Sequence, residues 1–385
     1  MKKYLVSGLG ISDGGVGRLM RKLIVQSEAA GFITVLRRNP KPIGKMLQGR
    51  QYLGVAFEMV LRIIDNIKFA WRVWGIRKSV ILFVHPQTAG FARLLNLTVK
   101  NKIYFYVMDN SFFCIRSYNL NPELETECLR CVSNSELALS MCQPFPVKMD
   151  KEKNLKYLEQ LKKVAHQITF LAQNLSQAEL VRARFGPRTK VSIVGMDTGE
   201  LEQSIQVTKF DKNRVVPCYD LVFHGAPQLA KGIKFFIELA ETLEQVTAFI
   251  PASRKKCEQV IGRPIDAKNI TFSECTWETG LKDVVRNSEL VLNPSLWSAP
   301  IEGALQKSVY FAKKVAVVES EFGYEREFVS SEKFIRLPRN VSAAAIVVQG
   351  VLEGSAIKCA DESQLGIIFP KQSLNIFEMI VKGEV

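Results

Sequence analysis

The sequence predicts an α/β protein of two doubly wound, Rossmann-like domains facing a cleft, and three observations predict it. The first is the opening. "KYLVSG" is an apolar run ending in glycine, and a glycine-rich stretch follows it. "RLMRKLIVQSEAAG" then places Leu19, Met20, Leu23, Ile24 and Ala29 on one helical face, with Gly31 as a stop before the second strand, "FITVL". Strand, glycine loop, helix and strand in that order begin a parallel, doubly wound sheet. The second observation is that this alternation recurs along most of the chain. The third is that "MDTGELEQSIQVTKFDKNRVVPC", residues 196 to 218, is polar and interrupts it once. A length of 385 residues with 47% hydrophobic content is enough for two ordinary cores.

The elements can be taken in order. In the first half "SVILFV", "KIYFYVM", "ITFLA" and "VSIVG" read as strands with helical segments between them. After the polar stretch the pattern restarts. "DLVFHGA", "VTAFIPA", "NITFSE", "LVLNPS" and "VAVVES" are strands, alternating with the helices "IKFFIELAETL", "KKCEQVI", "ETGLKDVVRNS" and "EGALQKSVYFAK". "LNIFEMIVKGEV" closes the chain as a helix. The expected organisation is therefore a first domain over 1–198, a linker over 199–217, a second domain over 218–365 and a closing helix within 366–385. Ligands of such sheets bind at the carboxyl ends of strands.

Charge divides the halves. Residues 1–196 hold 30 Lys and Arg against 13 Asp and Glu, a net +17, whereas residues 197–385 hold 22 against 25, a net −3. A basic first half suits an anionic partner: nucleic acid, a membrane surface or an acidic substrate. No nucleic-acid motif is present, and the positive charge is spread over several elements, which disfavours nucleic acid. The stretch 50–78 narrows the choice. It is strongly apolar, bears Trp71 and Trp74 near its end, and carries Arg62, Lys68, Arg72, Arg77 and Lys78. Such a helix either lies on an anionic membrane or forms a core element with a basic rim. No run is long and uncharged enough to span a bilayer, and the opening lacks the apolar core of a signal peptide. The expected location is the cytoplasm, either free or peripheral on the inner face of the plasma membrane.

The stretch "GLGISDGGVGRLMRKL" raises the question of dinucleotide binding. Gly8 and Gly10 fit a G-x-G-x-x-G fingerprint, but Asp13 takes the third position. The second strand ends in Arg37 and Arg38 rather than an acid. Those arginines leave a 2′-phosphate, and so an NADP-dependent oxidoreductase, as one reading. A loop with Gly14, Gly15 and Gly17 also lets backbone approach a phosphate, with helix N–H groups aimed at negative charge. A turn without a ligand is the plain alternative.

The second half resembles the GT-B glycosyltransferases of family four. That family's second domain starts with a strand followed by G-R-L-x-x-x-K-G. In "FHGAPQLAKGIKFFIEL", Gly225, Lys231 and Gly232 match in spacing. Pro294, Ser295, Leu296 and Trp297 match its P-S-L-W. "GGVGRLMRKL", "FLAQNLSQAELVRARFG" and "KVSIVGMDTG" are similar to its first-domain segments, so the resemblance covers nearly the whole chain. Three positions depart from the pattern. Ala226 stands where the family has Arg, and Ser298 and Gln306 stand where it has Glu. The family's His-Asp at the end of a first-domain strand is here Met108-Asp109.

The resemblance implies transfer of a sugar from a nucleotide-diphosphate donor, with retention of configuration and no obligatory metal. Taken with the charge, it implies a glycan or lipid-linked acceptor on the basic first domain, in bacterial cell-surface polysaccharide synthesis. It implies donor or phosphate contacts at Gly14, Gly15, Gly17, His224, Gly225, Lys231, Ser298 and Glu302. A leaving diphosphate needs positive charge, which Lys231 supplies. In "SAPIEGAL", Pro300 marks a helix start, and Glu302 is either a ribose or sugar contact or an acid complementing the helix dipole. Arg254 and Lys255 are further cations, or a solvated face. Asp109, at a strand end, is a candidate base or hydroxyl ligand, or else an Asx turn. His85, also after a strand, is the second catalytic candidate. Cys114, Cys128, Cys131 and Cys142 have the spacing C-x13-C-x2-C-x10-C. They are either a structural four-thiolate zinc site or small apolar filler. A GT-B nucleotide-sugar epimerase and a non-catalytic GT-B scaffold share this sequence evidence.

Overall fold

A computed structural model describes residues 1–11, 15–196, 218–354 and 375–385. The expected linker, 199–217, and Gly14 lie outside the described residues. The chain forms two compact units. One takes Met1–Ser117, Arg130–Thr198 and Gln372–Val385; the other takes Tyr118–Leu129 and Gly199–Lys371.

In the first unit β1 (Lys3–Ser7), α1 (Gly15–Ala29) and β2 (Ile33–Leu36) form the anticipated opening. Gly31 adopts φ +74°, the left-handed turn that ends α1. Gly15 and Gly17 fall inside the first turn of α1 rather than in a loop. Then come α2 (Ile43–Gln48), α3 (Tyr52–Trp74), β3 (Val80–Val84), α4 (Pro86–Ala89), α5 (Phe91–Thr98) and β4 (Lys102–Tyr106). The unit continues with α6 (Arg130–Ser133), α7 (Lys151–Val164), β5 (Ile168–Ala172), α8 (Leu175–Phe185) and β6 (Val191–Ile193). The strands pair in parallel in the order β2-β1-β3-β4-β5-β6. Their near-continuous apolar runs are what a sheet covered on both faces requires. Leu5, Leu82, Tyr104 and Leu171 are buried together under α1.

The second unit holds β7 (Leu221–Phe223), α9 (Ile233–Thr242), β8 (Ala248–Ile250), α10 (Arg254–Ile261), β9 (Ile270–Phe272), α11 (Lys282–Asn287), β10 (Leu290–Asn293), α12 (Gly303–Phe311), β11 (Val315–Val318), β12 (Phe334–Leu337) and α13 (Val341–Leu352). Its parallel order is β12-β11-β10-β7-β8-β9, which turns about β7 and β10. Two differences from the sequence reading have physical causes. "ETGLKDVVRNS" is not one helix, because Gly280 at φ +129° separates a wide turn, Trp277–Leu281, from α11. β12 is an additional strand hidden by its charges. Arg336 sits within it and donates to the carbonyls of Glu325 and Phe328, so a guanidinium occupies a strand position without exposing unpaired backbone.

The closing helix, α14 (Ile376–Lys382), belongs to the first unit and is no separate element. Ile376, Phe377 and Ile380 join the core beneath α1. Phe377 meets Phe32 edge-on with ring centres 4.9 Å apart. The Tyr104 hydroxyl donates to the carbonyl oxygen of Val385 at 3.1 Å.

Candidate functional site

The second sheet changes direction between β7 and β10, and the loops after these two strands meet there. In open α/β sheets this is where ligands bind. The two loops are locked by backbone. The His224 amide donates to Leu292 O at 3.0 Å, and the Leu296 amide donates to Ala230 O at 2.9 Å. The Asn293 side-chain amide donates to His224 O at 2.6 Å. Gly232, at φ +75°, approaches so closely that a Cβ would lie 1.9 Å from Pro294 O. Only glycine permits that contact.

Two candidate site residues, Lys231 and Glu302, converge on this scaffold with Ser295. Lys231 forms an ion pair with Glu302. The Ser295 hydroxyl donates to the Glu302 carboxylate at 2.8 Å. Glu302 stands at the N-terminal boundary of α12, but its side chain makes no capping bond and turns to Lys231 and Ser295 instead. The Lys231 ammonium lies 4.9 Å from the centre of the Trp297 ring and 5.9 Å from that of Tyr118. Tyr118 packs edge-on to Trp297 at 4.5 Å. Lys231 is thus a half-buried cation on an aromatic floor, oriented by a carboxylate.

His224, just past β7, is buried. Its Nδ1 lies 2.8 Å from the Ser308 hydroxyl, and its ring stacks on Trp277 at 5.3 Å. The Lys307 ammonium is 5.0 Å from the Trp277 ring centre. Burial and then the Lys307 charge hold His224 down at about 3, so its imidazole is neutral at physiological pH. Gly225 lies at the mouth of the same loop, with the Phe223 ring 3.2 Å from where a Cβ would stand. The sequence reading passed over Tyr118, Trp277 and Lys307, which lie far apart in the chain and fit no local motif.

Ser298 is corrected. It is buried and serves the chain's own 118–129 segment rather than an open ligand face. Its amide donates to Asn119 Oδ1 at 3.1 Å, its hydroxyl accepts from Asn119 Nδ2 at 2.7 Å, and it donates to Glu127. Glu127 in turn accepts from the amides of Glu321 and Phe322 and from Arg339. Arg254 donates to the carbonyls of Ile265 and Ala267, tying its own turn together, while Lys255 stays on the solvated face.

In the first unit the sheet turns between β1 and β3. A Cβ on Gly8, just after β1, would lie 2.1 Å from the Ala89 amide, so glycine lets α4 close over the strand end. His85 follows β3 at φ +57°. It is buried, its Nε2 has no hydrogen-bond partner among the described residues, and burial lowers its pKa to about 4. Asp109 lies three residues past β4, whose Tyr106 pairs in register with Val84 of β3. Its carboxylate accepts from the Ser111 amide at 2.9 Å, which is the Asx turn, and burial raises its pKa. His85 and Asp109 therefore both lie past the carboxyl ends of two neighbouring strands, β3 and β4.

The remaining predictions part ways. Arg38 grips the buried Glu58 through two nitrogens, at 2.6 and 3.2 Å. Arg37 pairs with Asp65 at 3.4 Å and donates to Thr88 O at 2.9 Å. Both guanidinium groups are thus committed to fastening α3, which removes the basis for a 2′-phosphate site and the NADP reading. Glu58 is held down at about 2, chiefly by the Arg38 hydrogen bonds. The zinc site is also corrected. Among the described residues no group of three or more His, Cys, Asp or Glu side chains could hold a metal ion. Cys114, Cys131 and Cys142 are buried in the first unit, while Cys128 is half-buried in the second. The small apolar filler reading fits them.

Within the stretch 50–78, α3 spans Tyr52–Trp74 and carries an exposed apolar stripe. Leu53, Phe57, Val60, Ile64, Ile67, Trp71 and Trp74 recur at intervals of four and three, and Leu53 and Trp71 are 89% and 76% exposed. Among the described residues no helix is long and apolar enough to cross a membrane.

No protein-family model matches the chain, and no curated protein matches it. Solved structures do. The sucrose-phosphate synthase of Thermosynechococcus elongatus is 13% identical, with a TM-score of 0.59 over 100% of this chain and 97% of that one. Anabaena HepE in complex with UDP is 14% identical, with a TM-score of 0.56 over 100% and 99%. The UDP-forming α,α-trehalose-phosphate synthase of Burkholderia xenovorans, in complex with glucose-6-phosphate, is 10% identical with a TM-score of 0.53 over 100% and 99%. Two six-stranded parallel sheets, each flanked by helices, give this chain the GT-B fold.

Proposed function

We propose that this protein is a nucleotide-sugar-dependent glycosyltransferase, related to the family-four enzymes, whose second unit binds the donor and whose basic first unit binds the acceptor. The observation that supports it most is the Lys231–Glu302–Ser295 group on the Trp297 floor, at the turning point of a nucleotide-binding type of sheet. Lys231 meets the diphosphate as a point charge, and Glu302 holds the ammonium in place. In the reaction the bond from the anomeric carbon to the diphosphate oxygen breaks, and its electron pair leaves with the nucleoside diphosphate. An acceptor hydroxyl forms the new glycosidic bond and loses its proton. Retention of configuration, with that proton passing to the departing phosphate oxygen, is the course we favour; Asp109 and neutral His85 then serve the acceptor hydroxyl. No metal takes part in this scheme.

The acceptor is proposed to be an anionic or lipid-linked glycan of bacterial surface polysaccharide synthesis, met at the inner membrane face with the α3 stripe lying on the lipid. The excess of positive charge in the first half and the exposed stripe support this. The altered positions Ala226, Ser298 and Gln306 favour one second reading, a GT-B scaffold that binds nucleotide without transfer. The experiment is a thermal-shift screen with UDP, GDP, ADP, CMP, TDP and NADPH, followed by a search for nucleoside diphosphate release with a lipid extract as acceptor. One nucleoside diphosphate should raise the melting temperature, and Lys231→Ala should abolish the rise. Binding without transfer favours the scaffold. Free sugar released from the donor without any lipid favours an epimerase. No shift with any diphosphate defeats the donor assignment.

A further inference from the structure

We propose that the cavity beside the C-terminal half of α3 holds the headgroup and upper chain of a single anionic membrane phospholipid; this rests on the reading of α3 as a membrane-facing helix. The cavity lies between α3 and α5 and encloses about 640 Å³, the size of a single-ligand site. Its wall has two parts. Trp71, Trp74, Leu97 and Val99 are apolar, whereas Arg77, Arg93 and Lys100 are cations, and no acid lines it. An apolar wall with a cationic rim is the complement of an acyl chain beneath a phosphate.

Two of these cations, Arg93 and Arg77, are held in place by side-chain contacts. Arg93 donates to Ala89 O at 2.7 Å and to Asn66 Oδ1 at 2.9 Å, and lies 5.5 Å from the Phe69 ring centre. Burial and the nearby Arg37 disfavour its charge, and a bound anion would relieve that cost. Arg77 rests 5.7 Å from the Trp74 ring centre. The acids of α3 do not offset them. Glu58 is paired with Arg38 and Arg62, and Asp65 with Arg37.

The cavity is also continuous with the stripe that would lie on lipid. Trp71 and Trp74 belong to both. α3 is 23 residues long, about 34 Å, so its stripe leads along the membrane surface to the cavity. A second copy of this chain suits the surface less well. Met59 and Ile63 are exposed beside the stripe and make it wider than a two-position helix seam, and pairing would bring like charges together.

The test is co-sedimentation of the full chain with phosphatidylcholine vesicles, with and without phosphatidylglycerol. The wild type should pellet with the anionic vesicles. Asn96→Trp fills the cavity from an exposed position without changing charge, and should weaken that partitioning about tenfold. Asn96→Ala should leave it unchanged. Arg77→Ala with Lys100→Ala should remove the preference for phosphatidylglycerol and serves if the bulky variant misfolds. Leu53→Glu with Phe57→Glu should abolish binding to every vesicle. Equal partitioning of wild type and Asn96→Trp overturns the cavity site and leaves the membrane reading standing. A wild type that pellets with no vesicle defeats the membrane reading itself. A wild type that is dimeric by light scattering, and separated by Leu53→Glu with Phe57→Glu, assigns the stripe to a second copy and overturns the proposal.

Discussion

At the residue scale, the position of Lys231 depends on a glycine. Gly232 combines φ +75° with backbone contact to Pro294. Gly232→Ala is therefore expected to lower stability by about 2–4 kcal/mol and to abolish nucleotide binding, read by urea unfolding and thermal shift. Glu302→Gln should leave the fold intact yet weaken binding, because the ammonium loses the carboxylate that orients it. A third residue gives a pH signature. Burial raises Glu325 to about 6, above its ordinary 4.5. The folded state thus holds this proton more tightly than the unfolded chain. The stability it contributes is fully present below about pH 4.5 and lost as pH rises through 6. Glu325→Gln is expected to be the more stable protein at pH 7.5, by up to about 2 kcal/mol, and to lose that advantage near pH 4.5. Urea titrations at the two pH values check this. Equal stabilities at pH 7.5 would mean that the Ser320 hydrogen bonds outweigh desolvation.

At the scale of elements, α3 and α14 show opposite uses of apolar residues. α3 turns Phe69 and Val73 inward and fastens itself through Glu58, leaving its stripe outside. α14 has only seven residues, yet it buries Ile376, Phe377 and Ile380. A helix so short has no stability of its own, so packing holds it. Phe377→Ala is expected to cost about 3–5 kcal/mol, seen as a lower unfolding midpoint of the first unit. The hydrophobic pattern of α14 was legible in the sequence, but its partner was not. Nothing local in "LNIFEMIVKGEV" says that its phenylalanine meets Phe32 at the other end of the chain. For α3 the sequence left a choice between core and surface, because a stripe of period 3.5 looks the same in either place. The arginine pairs at Glu58 and Asp65 decide which face turns inward.

At the scale of the whole molecule, two cores predict two unfolding events. A bound nucleoside diphosphate should raise only the transition of the second unit, which contains Trp277 and Trp297, and leave that of the first, which contains Trp71 and Trp74. Fluorescence-detected unfolding of Trp71→Phe/Trp74→Phe and of Trp277→Phe/Trp297→Phe, each with and without ligand, separates them. A single shared transition in both would show that the units unfold together. The sequence by itself determined the class and the strands of both sheets except β12. Period, glycine punctuation and spacing are local quantities and survive in a string of letters. Only the tertiary structure decided that Ser298 is closed over by Asn119 and Glu127, that Arg37 and Arg38 serve α3, that the four cysteines form no metal site, and that Tyr118 completes the floor beneath Lys231. Each of these is a contact between residues distant in sequence. Burial, the partner of a charge and the shape of a cavity are set by which segments the fold brings together, and no local pattern records that.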